Sequence, residues 1–470
     1  MPGTGRVQIG WANVHNCVAA LAGRSAASAV ARTATPGARH RTYVADIADV
    51  DAVGAERDSD VGPDVARLIA PARAAAYQVV LRVFEQDAYA DRALAAAAAR
   101  LDARDRALAQ QIAYGTVQRV RALDHGIEAL GRRPLRKLHA QVRAALRIGA
   151  YQLAYLDAVP SHAAVNDSVE LVRAAGLERA VPFANAVLRR LTVGLRELVE
   201  GLPDGPLKES YPDWIAEIWE RDLGSDDATA LMRAQNEPPE TVVRLIRGEP
   251  PGEPTDVPGA FRVERVDEAA LADGRIWPQS RASQLAGLAL GSLDGERALD
   301  LCAAPGGKAT QLHGEVVAVE KHPGRTRELE ETVRRLGATN VHVVNADALE
   351  LPAELAGFDR ALVDAPCSNL GVLNRRPDAR WRAEPLPELQ LALLRVAAER
   401  VRPGGTIVYS VCTLNAAENE GVVDAAGLEP DDLGAEWPQF RHPTRPEFLL
   451  TLPHVHRTAG FFIARLKLPS

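Results

Sequence analysis

The 470-residue chain has four cysteines, two methionines and no uninterrupted apolar run of the length a membrane helix needs. A spanning helix takes roughly 18 to 20 such residues, and here arginines and acids break every Ala-, Val- and Leu-rich stretch, which excludes an integral membrane protein of the helical kind. The N-terminus has only a short apolar patch around Val18 to Ala22, too brief and too polar for a secretory leader, so the expected compartment is the cytoplasm. Cys17, Cys302, Cys367 and Cys412 are widely separated and form no CxxC, unlike the dense frameworks of small secreted domains, so reduced thiols are expected. No histidine stands beside them at ligand spacing; His454 and His456 of HVH are the only close pair, and no metal site is expected.

What is present is the composition of a globular protein, 47% hydrophobic and 25% charged, in a chain long enough for two or three domains. A net charge of −7 by itself argues against a nucleic-acid partner, but its distribution does not. Residues 62–195 carry 19 Lys and Arg against 12 Asp and Glu. The excess concentrates in Arg119, Arg121, Arg132, Arg133, Arg136, Lys137, Arg143 and Arg147, opposed there only by Asp124 and Glu128. Such a stretch is a candidate phosphate-facing surface; solvated arginines on helix faces are the plainer alternative.

Four regions follow from patterning. Residues 1–62 lack a sustained period and read as a disordered extension. Over 63–195, Ala76, Val79, Val80, Val83 and Phe84 mark one helical face, and the same period recurs over Arg104–Ile127, Leu138–Leu156, PSHAAVNDSVELVRAAG and VPFANAVLRRL, predicting an all-α bundle of about six helices. Residues 196–276 are broken by Pro and Gly, as in EPPETVVRLIRGEPPGEP, and read as a small α+β connector. In 277–470 the apolar runs RALDLC, EVVAVE, NVHVV, DRALVD and GTIVYS alternate with helix-length segments, predicting βαβ units and a Rossmann-like parallel sheet, with AGFFIARL as an added edge strand.

The first of these strands runs into DLCAAPGGKATQL, a small-residue turn expected to lead into a helix at the carboxyl edge, where open α/β sheets bind cofactors. A P-loop would need Gly in place of Cys302 and Ser or Thr in place of Ala309, and a dinucleotide fingerprint would need more than Gly306-Gly307. A nucleoside cofactor without pyrophosphate remains. Glu320, ending the second strand, is suited to accept both ribose hydroxyls, and Asp347 after the third is expected near the adenine; S-adenosylmethionine meets these requirements.

Cys367 follows the fourth strand in VDAPCSNLG and Cys412 the fifth in VYSVCTLNAAENE, so both thiols are expected over the cofactor crevice. Pyrimidine carbon 5 is too weak a nucleophile to accept a methyl group until another nucleophile has added to carbon 6. A thiolate adds reversibly, and a second group must then remove the carbon-5 proton. Asp364 would hydrogen-bond the cytosine edge, and Lys308 would support the same electrostatics. The residues alone leave open which thiol attacks and which assists elimination.

DLCAAPGGKATQL, DAPCSNLGVLNRRPDARW and YSVCTLNAAENE together resemble the RsmB/Sun group of bacterial 16S ribosomal RNA cytosine-C5 methyltransferases and the related NSUN enzymes. The resemblance implies that Cys412 is the nucleophile and Cys367 the release thiol. It assigns Cys302, Ala303, Ala304, Pro305, Gly306, Gly307, Lys308, Glu320, Asp347 and Asp364 to cofactor or active-site contacts. It also likens the helical region to the NusB-like RNA-binding domain and implies an enzyme acting on small-subunit ribosomal RNA; a monomer is expected, and DNA is not the expected substrate, since no separate base-reading domain is evident. Asn369 departs from the pattern, standing where Gly or Thr is usual, as do Val411, Glu320 and Ala459. Competing expectations are a nucleophilic Cys367, as in DNA-type enzymes, and a non-enzymatic RNA-binding assembly factor with a degenerate sheet.

Overall fold

The computed structural model describes residues 69–469; the expected N-terminal extension and Cys17 lie outside them. Six helices come first: α1 (Pro71–Glu85), α2 (Ala90–Ala97), α3 (Ala103–Gly131), α4 (Ala140–Tyr155), α5 (Ser161–Ala174) and α6 (Val181–Glu200). Pro71 opens α1, where its missing N–H costs nothing, and the Asp102 carboxylate caps α3 by accepting from Asp105 N at 2.8 Å. Val79, Val80, Ile112, Val117, Leu146, Ile148 and Leu188 are fully buried at one shared core. The closest approach is at Gly115 of α3, where a Cβ would lie 2.0 Å from the Tyr151 ring of α4, so the helices meet only because that side chain is absent. No helix among the described residues is long and apolar enough to cross a membrane.

Beyond α6, which runs past residue 195, come three short helices, Pro206–Glu209, Asp213–Leu223 and Ser225–Ala234. A small antiparallel sheet of β1 (Val242–Leu245), β2 (Glu253–Pro254), β3 (Ala260–Arg262) and β4 (Ile276–Pro278) follows, in the order β2-β3-β1-β4. The large sheet contains β5 (Arg297–Asp300), β6 (Glu315–Glu320), β7 (Val341–Asn345), β8 (Phe358–Asp364), β9 (Val401–Val411), β10 (Glu429–Asp431), β11 (Leu449–Thr451) and β12 (Phe461–Lys467). Its order is β10-β12-β9-β8-β5-β6-β7, with β11 also on β12; β5 to β9 are parallel and β12 is antiparallel to β9. The order reverses between β5 and β8, the switch point at which such sheets open a crevice at their carboxyl ends. Helix Arg281–Leu290 packs with one face of the sheet, and Pro387–Arg400 with the connector helices on the other.

Two expectations are corrected here. The glycine turn after β5 does not open a helix: it closes in a single 3₁₀ turn, Ala309–Gln311, because β6 begins four residues later. The AGFFIARL strand is not at the edge, since β12 lies between β9 and the short strands β10 and β11.

The segment after the first thiol ties the regions together. Arg380 is fully buried, stacked 3.9 Å over the Tyr211 ring, and donates to the carbonyls of Gln118 in α3 and Ser210 in the connector, to Asn236 Oδ1, and to the Tyr211 hydroxyl. Beside it, Trp381 Nε1 donates to Val117 O at 2.7 Å and Arg382 to Asp87 O at 2.8 Å. Truncation as Arg380→Ala strands these acceptors in a dry interior, a loss of roughly 3 kcal/mol or more. Calorimetry is expected to show a clearly lower unfolding midpoint; an unchanged midpoint contradicts the tie.

Candidate active site

The parallel register of β8 and β9 sets Asp364 opposite Ser410, so the turns that leave both strands start side by side. Ala365 N donates to Ser410 O and Gly371 N to Cys412 O, both at 3.0 Å, locking the two turns to each other. The result brings Cys367 and Cys412 together, their sulfurs 3.4 Å apart. Cys412 is partly exposed, whereas Cys367 is buried. The Cys367 thiol, donating to the Cys412 sulfur, holds the Cys412 thiol below its ordinary pKa, and Lys308 and Arg376 add to this against burial and the Asp364 charge. Giving that hydrogen bond, together with burial, pushes Cys367 well above its ordinary value.

Asp364 is held from two sides: Lys308 Nζ lies 2.7 Å from Oδ2, and Ser410 Oγ donates to Oδ1 at 2.8 Å. The loop that carries Lys308 is shaped by its small residues. Ala303 N donates to Val319 O at 2.9 Å, Gly306 takes φ +103°, and a Cβ on Gly306 would meet Leu329 at 2.8 Å, so only glycine fits. Pro305 is the exposed residue of this loop and follows a cis peptide from Ala304; Gly307 lies beside Trp277 and Gln279. Cys302 accompanies the loop, where burial and the nearby carboxylates push its thiol far up and disfavour the thiolate. Glu320 is buried at the end of β6, with His322 N donating to Oε1 and Arg325 3.5 Å from Oε2. Asp347 is more open, capping a 3₁₀ turn through Leu349 N and pairing with Lys321 at 2.6 Å.

Sequence reasoning missed three residues. Asp300, the acid ending β5, is 1% exposed with its Oδ2 unpartnered. Its only sequence signal is an acid inside the apolar run RALDLC. Glu418 is fully buried, and its carboxylate accepts from Ser368 N (3.0 Å) and Oγ, Leu386 N (3.2 Å), Gln390 Nε2 (2.9 Å) and Asn415 Nδ2 (3.2 Å). It thereby staples the turn of Cys367 to the turn of Cys412, and NAAENE offers no way to tell it from Glu420. Ser410 is the third, hidden in the apolar β9.

The basic stretch does not form one free surface. Arg119 pairs with Glu209, Arg121 with Asp213, Arg143 with Glu85 and the buried Arg147 with Asp124, so packing of α3 and α4 against neighbouring elements takes up half of it. Arg132, Arg133, Arg136 and Lys137, on the turn between these helices, are exposed and make no ion pair among the described residues. Among those residues no group of three His, Cys, Asp or Glu converges for a metal.

A Rossmann-like sheet with strand-end carboxylates around a small-residue loop defines a nucleoside-dependent methyltransferase, and the unpartnered Asp300 oxygen suits a cationic donor. Residues 287–467 match the model of the 16S rRNA methyltransferase RsmB/F family, and 70–192 that of the NusB family. A probable ribosomal RNA small subunit methyltransferase B of Synechocystis is 34% identical over 84% of this chain and 99% of its own. Ribosomal RNA small subunit methyltransferase B of Thermus thermophilus is 37% identical over 77% of this chain and 85% of its own. The crystal structure of PH0851 shares the fold, with a TM-score of 0.69 at 23% identity over 85% of this chain and 99% of that one. The chain therefore belongs to the ribosomal RNA small subunit methyltransferase B family, and S-adenosylmethionine is its cofactor.

Burial, followed by the nearby Asp364 charge, raises the Asp300 carboxyl from 3.8 to about 7. The folded state thus keeps a proton that the unfolded chain has released. Its contribution is full below about pH 4 and is lost as pH rises through about 7. Asp300→Asn has no such proton, so relative to the parent it should gain stability, on the order of a few kcal/mol, between about pH 4 and pH 8. Denaturant midpoints of the cofactor-free proteins measure this; parallel pH profiles contradict it.

Proposed function

We propose that the protein methylates carbon 5 of a specific cytosine in 16S ribosomal RNA, with Cys412 as nucleophile and Cys367 as release thiol. The observation that carries this is the 3.4 Å separation of the two sulfurs at the partly exposed mouth of the site. S-adenosylmethionine supplies the methyl group, held by the Cys302–Lys308 loop, Glu320 and Asp347. The Cys412 thiolate adds to carbon 6 of the ring, forming the C–S bond while the electron pair of the 5,6 double bond moves to carbon 5 and toward the ring nitrogen. The Asp364 carboxylate, aligned by Lys308 and Ser410, accepts from the exocyclic amino group of the ring, and the Lys308 ammonium beside it offsets the charge that develops on that edge. Once its sulfur is bonded to carbon 6, Cys412 no longer accepts from Cys367, which gives up its proton to solvent. After methylation the Cys367 thiolate takes the carbon-5 proton, the electron pair of that C–H bond restores the 5,6 double bond, and the C–S bond breaks with Cys412 leaving as thiolate.

The division of labour runs with the division of the chain: the helices of residues 63–195 bind RNA, 196–276 connect, and 277–470 catalyse. In this reading the protein works as a monomer in the cytoplasm, on RNA and not DNA. The names of its relatives support ribosomal RNA as the substrate.

With tritiated donor and small-subunit RNA, Cys412→Ala is expected to abolish methylation, by a factor of about 1,000 or more. Cys367→Ala is expected to accumulate a denaturation-resistant protein–RNA adduct. Adduct accumulating in the Cys412 variant instead reverses the roles of the thiols, and activity in both variants ends the mechanism. Neutralising Arg132, Arg133, Arg136 and Lys137 together is expected to flatten the dependence of RNA affinity on salt by up to about 3 units of log–log slope. Replacing the buried Arg147 by Gln should leave that slope unchanged; an equal effect from both variants contradicts the assignment of the exposed turn.

A further inference from the structure

Two residues beyond Cys367 stands Asn369, the residue at which this chain departs from the pattern of that motif. Its backbone takes φ +60°, a left-handed conformation that Asn tolerates better than most side chains. That geometry turns the side chain back over its own turn. Nδ2 donates to Cys367 O at 2.8 Å, while Oδ1 lies 3.4 Å from Cys412 Sγ and accepts from it. The amide has one orientation consistent with both contacts. A backbone carbonyl only accepts, so the nitrogen must face Cys367 and the oxygen must face Cys412. One planar group therefore spans both thiol-bearing turns and cannot rotate without giving up a hydrogen bond.

The Cys412 sulfur lies 3.4 Å from Cys367 Sγ and 3.4 Å from Asn369 Oδ1. With both thiols protonated, Cys367 donates to Cys412 and Cys412 donates to Asn369, a chain in which every proton has an acceptor. Once Cys412 ionises, the Cys367 bond persists but Oδ1 is left facing a negative sulfur. Asn369 thus favours the neutral thiol and fixes its direction. The other charged or titratable groups acting on Cys412 are Asp364 at the end of β8, Lys308 from the loop after β5 and Arg376 from the segment after the Pro-Cys turn.

We propose that Asn369 is a positioning residue for Cys412: it aims the attacking sulfur and keeps its proton in place until a base occupies the site. The inference rests on Cys412 being the nucleophile. Asn369 acts through that sulfur and needs no contact with substrate.

The test uses the full chain and two readouts: single-turnover methylation of small-subunit RNA, and the pH profile of Cys412 alkylation by iodoacetamide, with the modified peptide identified by mass spectrometry. Asn369→Gly keeps the left-handed backbone at no steric cost. It is expected to move the alkylation inflection to lower pH by about one unit and to slow methyl transfer about tenfold. Asn369→Asp, a stronger acceptor bearing a charge, is expected to move the inflection to higher pH. Shifts of opposite sign in the two variants are not produced by loss of packing alone. An Asn369→Gly protein that superimposes on the parent in both readouts overturns the proposal, as do shifts of the same sign. Cys412→Ala in the same methylation assay separates the two claims: if it stays active, the underlying mechanism has failed, whereas an inactive Cys412→Ala beside an unperturbed Asn369→Gly removes the role of Asn369 alone.

Discussion

Everything at this site depends on the pairing of β8 with β9. Parallel neighbours deliver their carboxyl ends to the same edge, and the register that places Asp364 against Ser410 delivers the next turns in step. A slip of one residue would turn every side chain of one strand to the opposite face. The sulfurs would then no longer face each other, and the Ser410 hydroxyl would no longer reach the Asp364 carboxylate. The sheet core, where Ala361, Val363, Ile407 and Tyr409 are buried, holds that register.

Around this pair the protein sets a second layer of restraint that is almost wholly polar and almost wholly dry. Glu418 needs no cation to be buried because several donors converge on its carboxylate, and these come from both thiol turns and from helix Pro387–Arg400. The connector helices add bonds from outside. Trp219 Nε1 donates to Leu414 O at 3.0 Å, and Gln235 exchanges hydrogen bonds with Leu370 and Leu373. The segment Arg376–Arg382 then reaches into the helical bundle, with Arg376 3.6 Å from Asp91 and Trp381 packed against the bundle core. The turns bearing the two sulfurs are thus braced by the helical bundle, the connector and the sheet domain among the described residues, which gives the helical region a structural part in the site.

The legible parts of the sequence were those written in period and position. The helical period of Ala76, Val79, Val80 and Val83 marked α1, and five apolar runs marked the parallel strands. Cys367 and Cys412 were readable as neighbours because each follows such a run, and strand ends in this fold share an edge. Asp300, Ser410 and Glu418 were not readable. Their roles come from burial and from partners distant in sequence, and a buried acid looks like a solvated one until its surroundings are known. The basic stretch was only half legible for the same reason: Arg147 and Arg132 are alike in sequence, but one is folded onto Asp124 and the other projects from a turn. The turn after β5 was read as a helix start because small residues there usually precede one; the nearby start of β6 leaves no room.

The most direct measurement concerns the ring that the two sulfurs are taken to share. Small-subunit RNA carrying 5-fluorocytidine has no carbon-5 proton for Cys367 to remove, so addition and methyl transfer should proceed and release should not. Peptide mapping of the trapped complex is expected to find the nucleotide bonded to Cys412, with the ring methylated and Cys367 unmodified. A bond to Cys367, or no covalent complex in the presence of donor, contradicts the account.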